Sequence, residues 1–118
     1  MGILDKTYNK LVRNDIPDLI ARQGKRVTYE IIKNDDNRFK KCLVDKLHEE
    51  TDEISGGMNR DSREEVLEEA ADIYTVLLEI CFLYDISVDE LESKYHEKLC
   101  TAGGFSKGVY LNKVEEVK

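Results

Sequence analysis

An all-α fold, a helical bundle built on an antiparallel helix hairpin and completed by oligomerisation, is predicted by three features of this 118-residue chain. Apolar residues recur at helical spacing in three stretches. Capping boxes stand before the second and third of them. The segments that look extended are short, one near the front and one at the tail, which leaves room for short peripheral β-strands and no more. The length bounds the chain to one domain, 1–118, with a single core.

Taken in order, Asn14 or Asp15 is placed to cap a short helix from Pro17 to about Gln23, because proline is favoured in a first turn, and Gly24 stops it. Arg26–Ile32 (RVTYEII) is rich in β-branched residues and reads as one strand. Asn34, Asp35, Asp36 and Asn37 form a turn that supplies N-caps. The first long helix runs from about Asp36 to Ile54 on an apolar stripe of Phe39, Leu43, Leu47 and Ile54, with Val44 beside it. Ser55–Arg60, containing Gly56 and Gly57, is expected to break it.

Asp61 or Ser62, with Glu64 or Glu65 three residues on, opens the second long helix, which ends near Tyr84. Its main stripe is Val66, Ala70, Ile73, Tyr74, Leu77, Cys81 and Tyr84; Val76, Ile80 and Leu83 form a second stripe, continued toward the N-terminus by Glu69 and Asp72. From Ile73 to Tyr84 only Thr75 and Glu79 are polar, so this half needs cover on most sides, and a homodimer or homotetramer is expected. Ser87–Glu90 caps a third helix to about Cys100 with Val88, Leu91, Tyr95 and Leu99 inward, stopped by Gly103 and Gly104. Gly108–Val117 reads as a strand beside Val27–Ile32.

Charge narrows the partners. With 25 acidic and 18 basic residues the net charge is −7, which argues against nucleic acid as the partner. An anionic ligand remains compatible if metal ions bridge it to the protein. No apolar run approaches a membrane span, and the opening MGILDKTYNK has no signal-peptide apolar region, so a reducing cytoplasm is expected. Cys42, Cys81 and Cys100, odd in number and widely spaced, fit buried free thiols and neither a disulfide framework nor a zinc site.

Two acidic clusters carry the chemistry. Glu49, Glu50 and Glu53 lie in LHEETDE, and Glu69 and Asp72 in LEEAADI, giving EExxE followed by ExxD. On a helix, residues three apart share a side. Glu50 falls on the apolar stripe between Leu47 and Ile54, Glu53 at its edge, and Glu49 well away from it. Glutamate is almost never buried without a partner, so Glu50 is the anomaly.

In an antiparallel hairpin Glu50 can face Asp72 while Glu53 faces Glu69, since both pairs of numbers have the same sum. With the first helix ending at Ile54, that register leaves a gap of roughly 9 Å for the glycine loop to span, at 1.5 Å per residue. Four carboxylates would then form one oxygen cage. Such ligation suits Mg²⁺, with Mn²⁺ as an alternative, and not zinc or copper. His48 and His96 read as surface residues, because Asp52 stands where a HExxH motif needs its second histidine. On burial alone Glu49, Glu64, Glu65, Glu68 and Glu79 read as solvated charge.

These motifs resemble the all-α nucleoside triphosphate pyrophosphohydrolases, the MazG-like and phosphoribosyl-ATP pyrophosphohydrolase-like superfamily. YNKLVRNDIP at Tyr8–Pro17 is similar to the YNKLVRDKIP opening of one MazG-like branch, and AGGFSKG at Ala102–Gly108 to its RGGF-containing tail. The resemblance implies Mg²⁺-dependent hydrolysis of a nucleoside triphosphate or related nucleotide to the monophosphate and pyrophosphate. It makes Glu50, Glu53, Glu69 and Asp72 the metal ligands, and Glu49 an auxiliary carboxylate or the base for water. The phosphates would then meet Lys10 and Arg13, then Lys94 and Lys98, then Lys107. Ala102 in place of arginine, and Asn14–Asp15 in place of Asp-Lys, remove two basic groups and bear on substrate choice. The competing readings are an inactive nucleotide- or metal-binding relative, against which the intact carboxylates argue, and a helical interaction module with a solvated acidic face.

Overall fold

The computed structural model describes residues 6–117, in which four helices and no strands occur. They are α1 (Ile16–Ala21), α2 (Asn37–Asn59), α3 (Arg63–Leu83) and α4 (Val88–Ala102). The chain divides into two compact units, Met1–Asp85 and Ile86–Lys118. The first holds α1 and the α2–α3 hairpin; the second holds α4 and the tail.

Local chemistry sets the helix starts. Asp36 accepts from the backbone N–H of Arg38 at 2.9 Å, Ser62 from Glu65 at 3.3 Å, and Ser87 from Glu90 at 3.1 Å, each satisfying a donor that the first turn would leave unpaired. Only half of the box at Ser62 forms, because the Glu65 carboxylate turns to Arg60, which grips it through Nε at 2.8 Å and Nη2 at 2.6 Å. Asp15 caps α1 by position alone, without a side-chain bond.

The expected break at Ser55–Arg60 does not occur: α2 continues through Gly56 and Gly57 to Asn59. At Gly57 the two helices approach closely. A Cβ there would lie 3.2 Å from Glu65 Cβ and 3.3 Å from the Val66 backbone nitrogen. Glycine's cost in a helix interior, about 1 kcal/mol against alanine, is offset by the close approach that the missing side chain permits. The connection then needs only Arg60–Ser62. Ser62 N–H bonds Gly57 O and Asp61 N–H bonds Met58 O, both at 3.0 Å, with Asp61 in the left-handed region at φ 49°. The helices end and begin at Asn59 and Arg63, whose numbers have the same sum as Glu50 and Asp72, so the gap implied by an early helix end closes.

The buried residues of α2 are Leu43, Glu50 and Gly57, seven apart, forming a single seam. On α3, Val76 and Cys81 are buried and Ile73, Ile80 and Leu83 half-buried, while Tyr74, Leu77 and Tyr84 are exposed. The face turned to α2 is therefore mainly the second stripe, and much of the main stripe is left outside. One helix offers a partner only one face, and the stripe carrying Glu69 and Asp72 takes it.

Other expectations are corrected. Arg26–Ile32 and Gly108–Val117 carry no strand, because a lone extended segment has no ladder to join. In the second unit α4 has no other helix to bury its stripe, so Val88, Tyr95 and Leu99 are exposed and only Leu91 is partly covered. The same cause leaves Cys100 exposed; Cys42 is half-buried and Cys81 buried, and all three thiols are free. His48 and His96 are at the surface. No described helix is long and apolar enough to cross a membrane.

Candidate functional site

The seam of the hairpin holds Glu50 at 4% exposure, the one charged residue so buried among those described. One oxygen each of Glu50, Glu69 and Asp72 lies within 4.8 Å of the others. The cause is periodicity: Glu69 and Asp72 are one turn apart on the stripe of α3 that faces the Glu50 seam. Glu53 is exposed and sits against Glu69 at the rim of the trio.

Crowded carboxylates oppose one another's ionisation. Glu69 is accordingly pushed up to about 8: the Glu50 carboxylate within hydrogen-bonding reach, which favours the protonated form, is the main cause, burial comes next, and the neighbouring Glu53 carboxylate and its charge add to it. Glu50 Oε2 and Glu69 Oε2 are buried and have no donor. A buried acceptor left unpaired is costly. A shared proton relieves one pair of oxygens; a cation relieves all of them.

The chain's own cations hold the outer oxygens. Lys46 Nζ stands 3.3 Å from Glu50 Oε1 and 3.2 Å from Glu49 Oε2, and Lys10 Nζ donates to Glu49 Oε1 at 2.8 Å. Arg13 Nη2 donates to Asp72 Oδ1 at 2.5 Å and to Thr75 Oγ1 at 3.1 Å. For Glu49 burial works against ionisation, but the hydrogen bonds from Lys10 and Lys46 outweigh it and hold the carboxyl below its usual range. The bond to Glu49 raises Lys10 in turn. Lys10, Arg13 and Lys46 pair with Glu49, Glu50 and Asp72 and leave Glu53 and Glu69 without a cation.

Lys46 and Thr75 escaped the sequence reading. The signal for Lys46 was available, since it precedes Glu49 by three and Glu50 by four, the spacing of helical ion pairs. Thr75 follows Asp72 by three, but only the fold brings Arg13 to it. Lys94, Lys98 and Lys107 belong to the second unit, are exposed there, and Lys94 pairs with Glu97 at 2.9 Å.

Beside the carboxylates, a groove of about 540 Å³ is lined by Asp52, Glu53, Gly56, Arg60, Glu65, Glu68 and Glu69. It shares Glu53 and Glu69 with the acidic cluster and is large enough for part of a nucleotide. Arg60 is its only cation among the described residues and is already engaged by Glu65.

The family model described as phosphoribosyl-ATP pyrophosphohydrolase matches residues 19–99, which spans α2, α3 and most of α4. No curated protein and no solved structure matches the chain.

Proposed function

The chain belongs to the phosphoribosyl-ATP pyrophosphohydrolase family, and on that footing we propose that it is a Mg²⁺-dependent hydrolase that converts a nucleoside triphosphate, or a related nucleotide, to the monophosphate and pyrophosphate. The observation that carries this reading is the Glu50–Glu69–Asp72 trio with its two unpaired buried oxygens. An all-oxygen donor set of this kind fits Mg²⁺ or Mn²⁺. Glu50, Glu69 and Asp72 would hold the ion, with Glu53 completing the set from the rim. When bound, the ion lowers the pKa of water and offsets phosphate charge.

The chain's own residues do the rest. Lys46 commits one oxygen of Glu50 and leaves the other buried and unpaired. Glu49, with both oxygens on lysines and its proton affinity depressed, is suited to holding Lys10 and Lys46 in place and poorly suited to taking a proton from water. Lys10 and Arg13 are the phosphate-binding cations of the first unit, and Lys94, Lys98 and Lys107 are candidates for the same work from the second. The groove from Glu53 to Arg60 is the space for the remainder of the nucleotide. A cytoplasmic role in clearing non-standard or surplus nucleotides is the setting we propose.

The test is pyrophosphate release from a panel of canonical and modified nucleoside triphosphates with Mg²⁺ and again with EDTA. Turnover of at least one nucleotide with Mg²⁺ and none with EDTA is expected; no metal-dependent turnover across the panel would count decisively against the enzyme.

The protein is further proposed to act as a homo-oligomer, a dimer or tetramer. Leu67, Tyr74 and Leu77 stand 56%, 46% and 39% exposed on α3, whereas only Leu43, Val76 and Cys81 are buried among the described apolar residues. Apolar surface on this scale is normally covered in a soluble protein. Light scattering should give a multiple of the 13.6 kDa chain mass. A Leu77→Glu chain should run at the monomer mass.

A further inference from the structure

We infer that Thr75 is the positioning residue for Arg13, keeping the guanidinium beside the acidic cluster when a divalent cation takes Asp72 away from it. The inference rests on the metal-site reading above and goes beyond it in assigning how the phosphate-binding arginine is held ready.

Arg13 comes from a stretch, residues 6–15, that has neither helix nor strand. Its polar side-chain contacts with the hairpin are Lys10 to Glu49, and Arg13 to Asp72 and Thr75. Asp72 is therefore claimed twice, by Arg13 and by the trio of oxygens. A half-exposed ion pair is weak. An ion of twice the charge draws the carboxylate toward itself and repels the guanidinium. The Arg13–Asp72 pair is the contact that gives way.

Thr75 is not subject to that competition, because its hydroxyl is neutral. Its proton goes to Ala71 O at 3.0 Å, one turn back along α3, which leaves a lone pair for Arg13 Nη2 at 3.1 Å. Thr75 and Asp72 are three residues apart and share a side of the helix. Arg13 thus gives up one partner and keeps the other, and the N–H donors released from Asp72 are free for phosphate oxygens within the same reach. The same two contacts also explain one of the two polar residues, Thr75 and Glu79, on the apolar half of α3.

Trypsin reads the state of Arg13 directly, because the protease must take the arginine side chain into its own pocket. The wild-type chain, Thr75→Val, which keeps the shape and loses the hydroxyl, and Thr75→Ser, which restores it, are digested in EDTA and in Mg²⁺. In EDTA, where Asp72 still holds Arg13, the three are expected to be cut after Arg13 at rates within about threefold. In Mg²⁺, Thr75→Val is expected to be cut roughly tenfold faster than wild type, with Thr75→Ser near wild type, the loss being one hydrogen bond to a charged group. Cleavage after Lys10 in the same digests should not differ among the three.

Equal rates in Mg²⁺ overturn the inference. So does an acceleration of Thr75→Val that is the same in EDTA, since that is general loosening, and so does a failure of serine to rescue. Calorimetric titration with Mn²⁺ separates the two levels: heat of binding with no effect of Thr75→Val removes only the role of Thr75, while no heat removes the metal site with it.

Discussion

Glu50→Gln is expected to abolish metal-dependent pyrophosphate release while leaving the metal-free protein folded and more stable. Glu50 is 4% exposed, and its Oε2, like Oε2 of neighbouring Glu69, is buried without a donor. The amide keeps the shape, removes a buried charge and supplies an N–H that can donate to Glu69. Once the pH is high enough for Glu69 to lose its proton, two acceptors in opposition become a donor and an acceptor, a change worth about 1 kcal/mol and a rise of a few degrees in melting temperature. Lys46 keeps its bond to Glu49 at 3.2 Å, so no buried cation is stranded. The same substitution removes an anionic oxygen from the trio. Disturbing even the outer partners of metal ligands costs roughly 10- to 100-fold in affinity, so losing a central one should cost more than 100-fold. The two readouts are Mn²⁺ titration and thermal melting in EDTA. An enzyme that still turns over after Glu50→Gln takes this residue out of the site.

The second large effect is a dependence of stability on pH that metal abolishes. Glu69 in the folded chain titrates at about 8, against an ordinary carboxyl at 4.5. Between those values the native state keeps a proton that the unfolded chain has released. Stability from this group is therefore complete below pH 4.5 and is lost as the pH rises through 8. Glu49 has the opposite sign, since its carboxyl is held below the ordinary value; its contribution is present above 4.5 and fades in stronger acid. The metal-free protein should thus be most stable in mildly acidic solution, melt at progressively lower temperature toward pH 8 and level off above it.

Saturating Mg²⁺ replaces the proton, so the decline on the alkaline side should flatten, and the apparent metal affinity should rise with pH over the same window because binding expels that proton. Glu50→Gln should flatten the decline as well, having removed the main cause of the raised value. Melting curves in EDTA and in Mg²⁺ from pH 5 to 9 check this. A level profile in EDTA above pH 6 would mean that Glu69 is not pressed against a second carboxylate.

Both effects trace to a residue legible before any fold was known. Glu50 stood out because a carboxylate on an apolar stripe contradicts burial energetics, and a stripe is a property of spacing. The helix starts at Asp36, Ser62 and Ser87 were legible for a similar reason: a cap is satisfied by atoms within three residues. The ordered motifs pointed to the same family as the match over residues 19–99.

What local chemistry could not decide was every question that needs a second element. Gly56 and Gly57 carry a breaker signal, and only the packing of Glu65 and Val66 against Gly57 shows why the helix runs on. Of the two stripes on α3 the longer apolar one looked like the core face, and pairing with the Glu50 seam chose mainly the other, which bears Glu69 and Asp72. Arg26–Ile32 looked like a strand on composition, but a strand exists only through its neighbour. Arg13 and Asp72 are far apart in sequence, and their ion pair, with Thr75 beside it, follows from the path of a segment with no periodicity to read. Sequence by itself determined the helices, the acidic residue that does not belong on its stripe and the family, because these depend on contacts a turn or two apart. The tertiary structure decided which carboxylates meet and which cations hold them, because electrostatic interactions depend on distance in space and not along the chain.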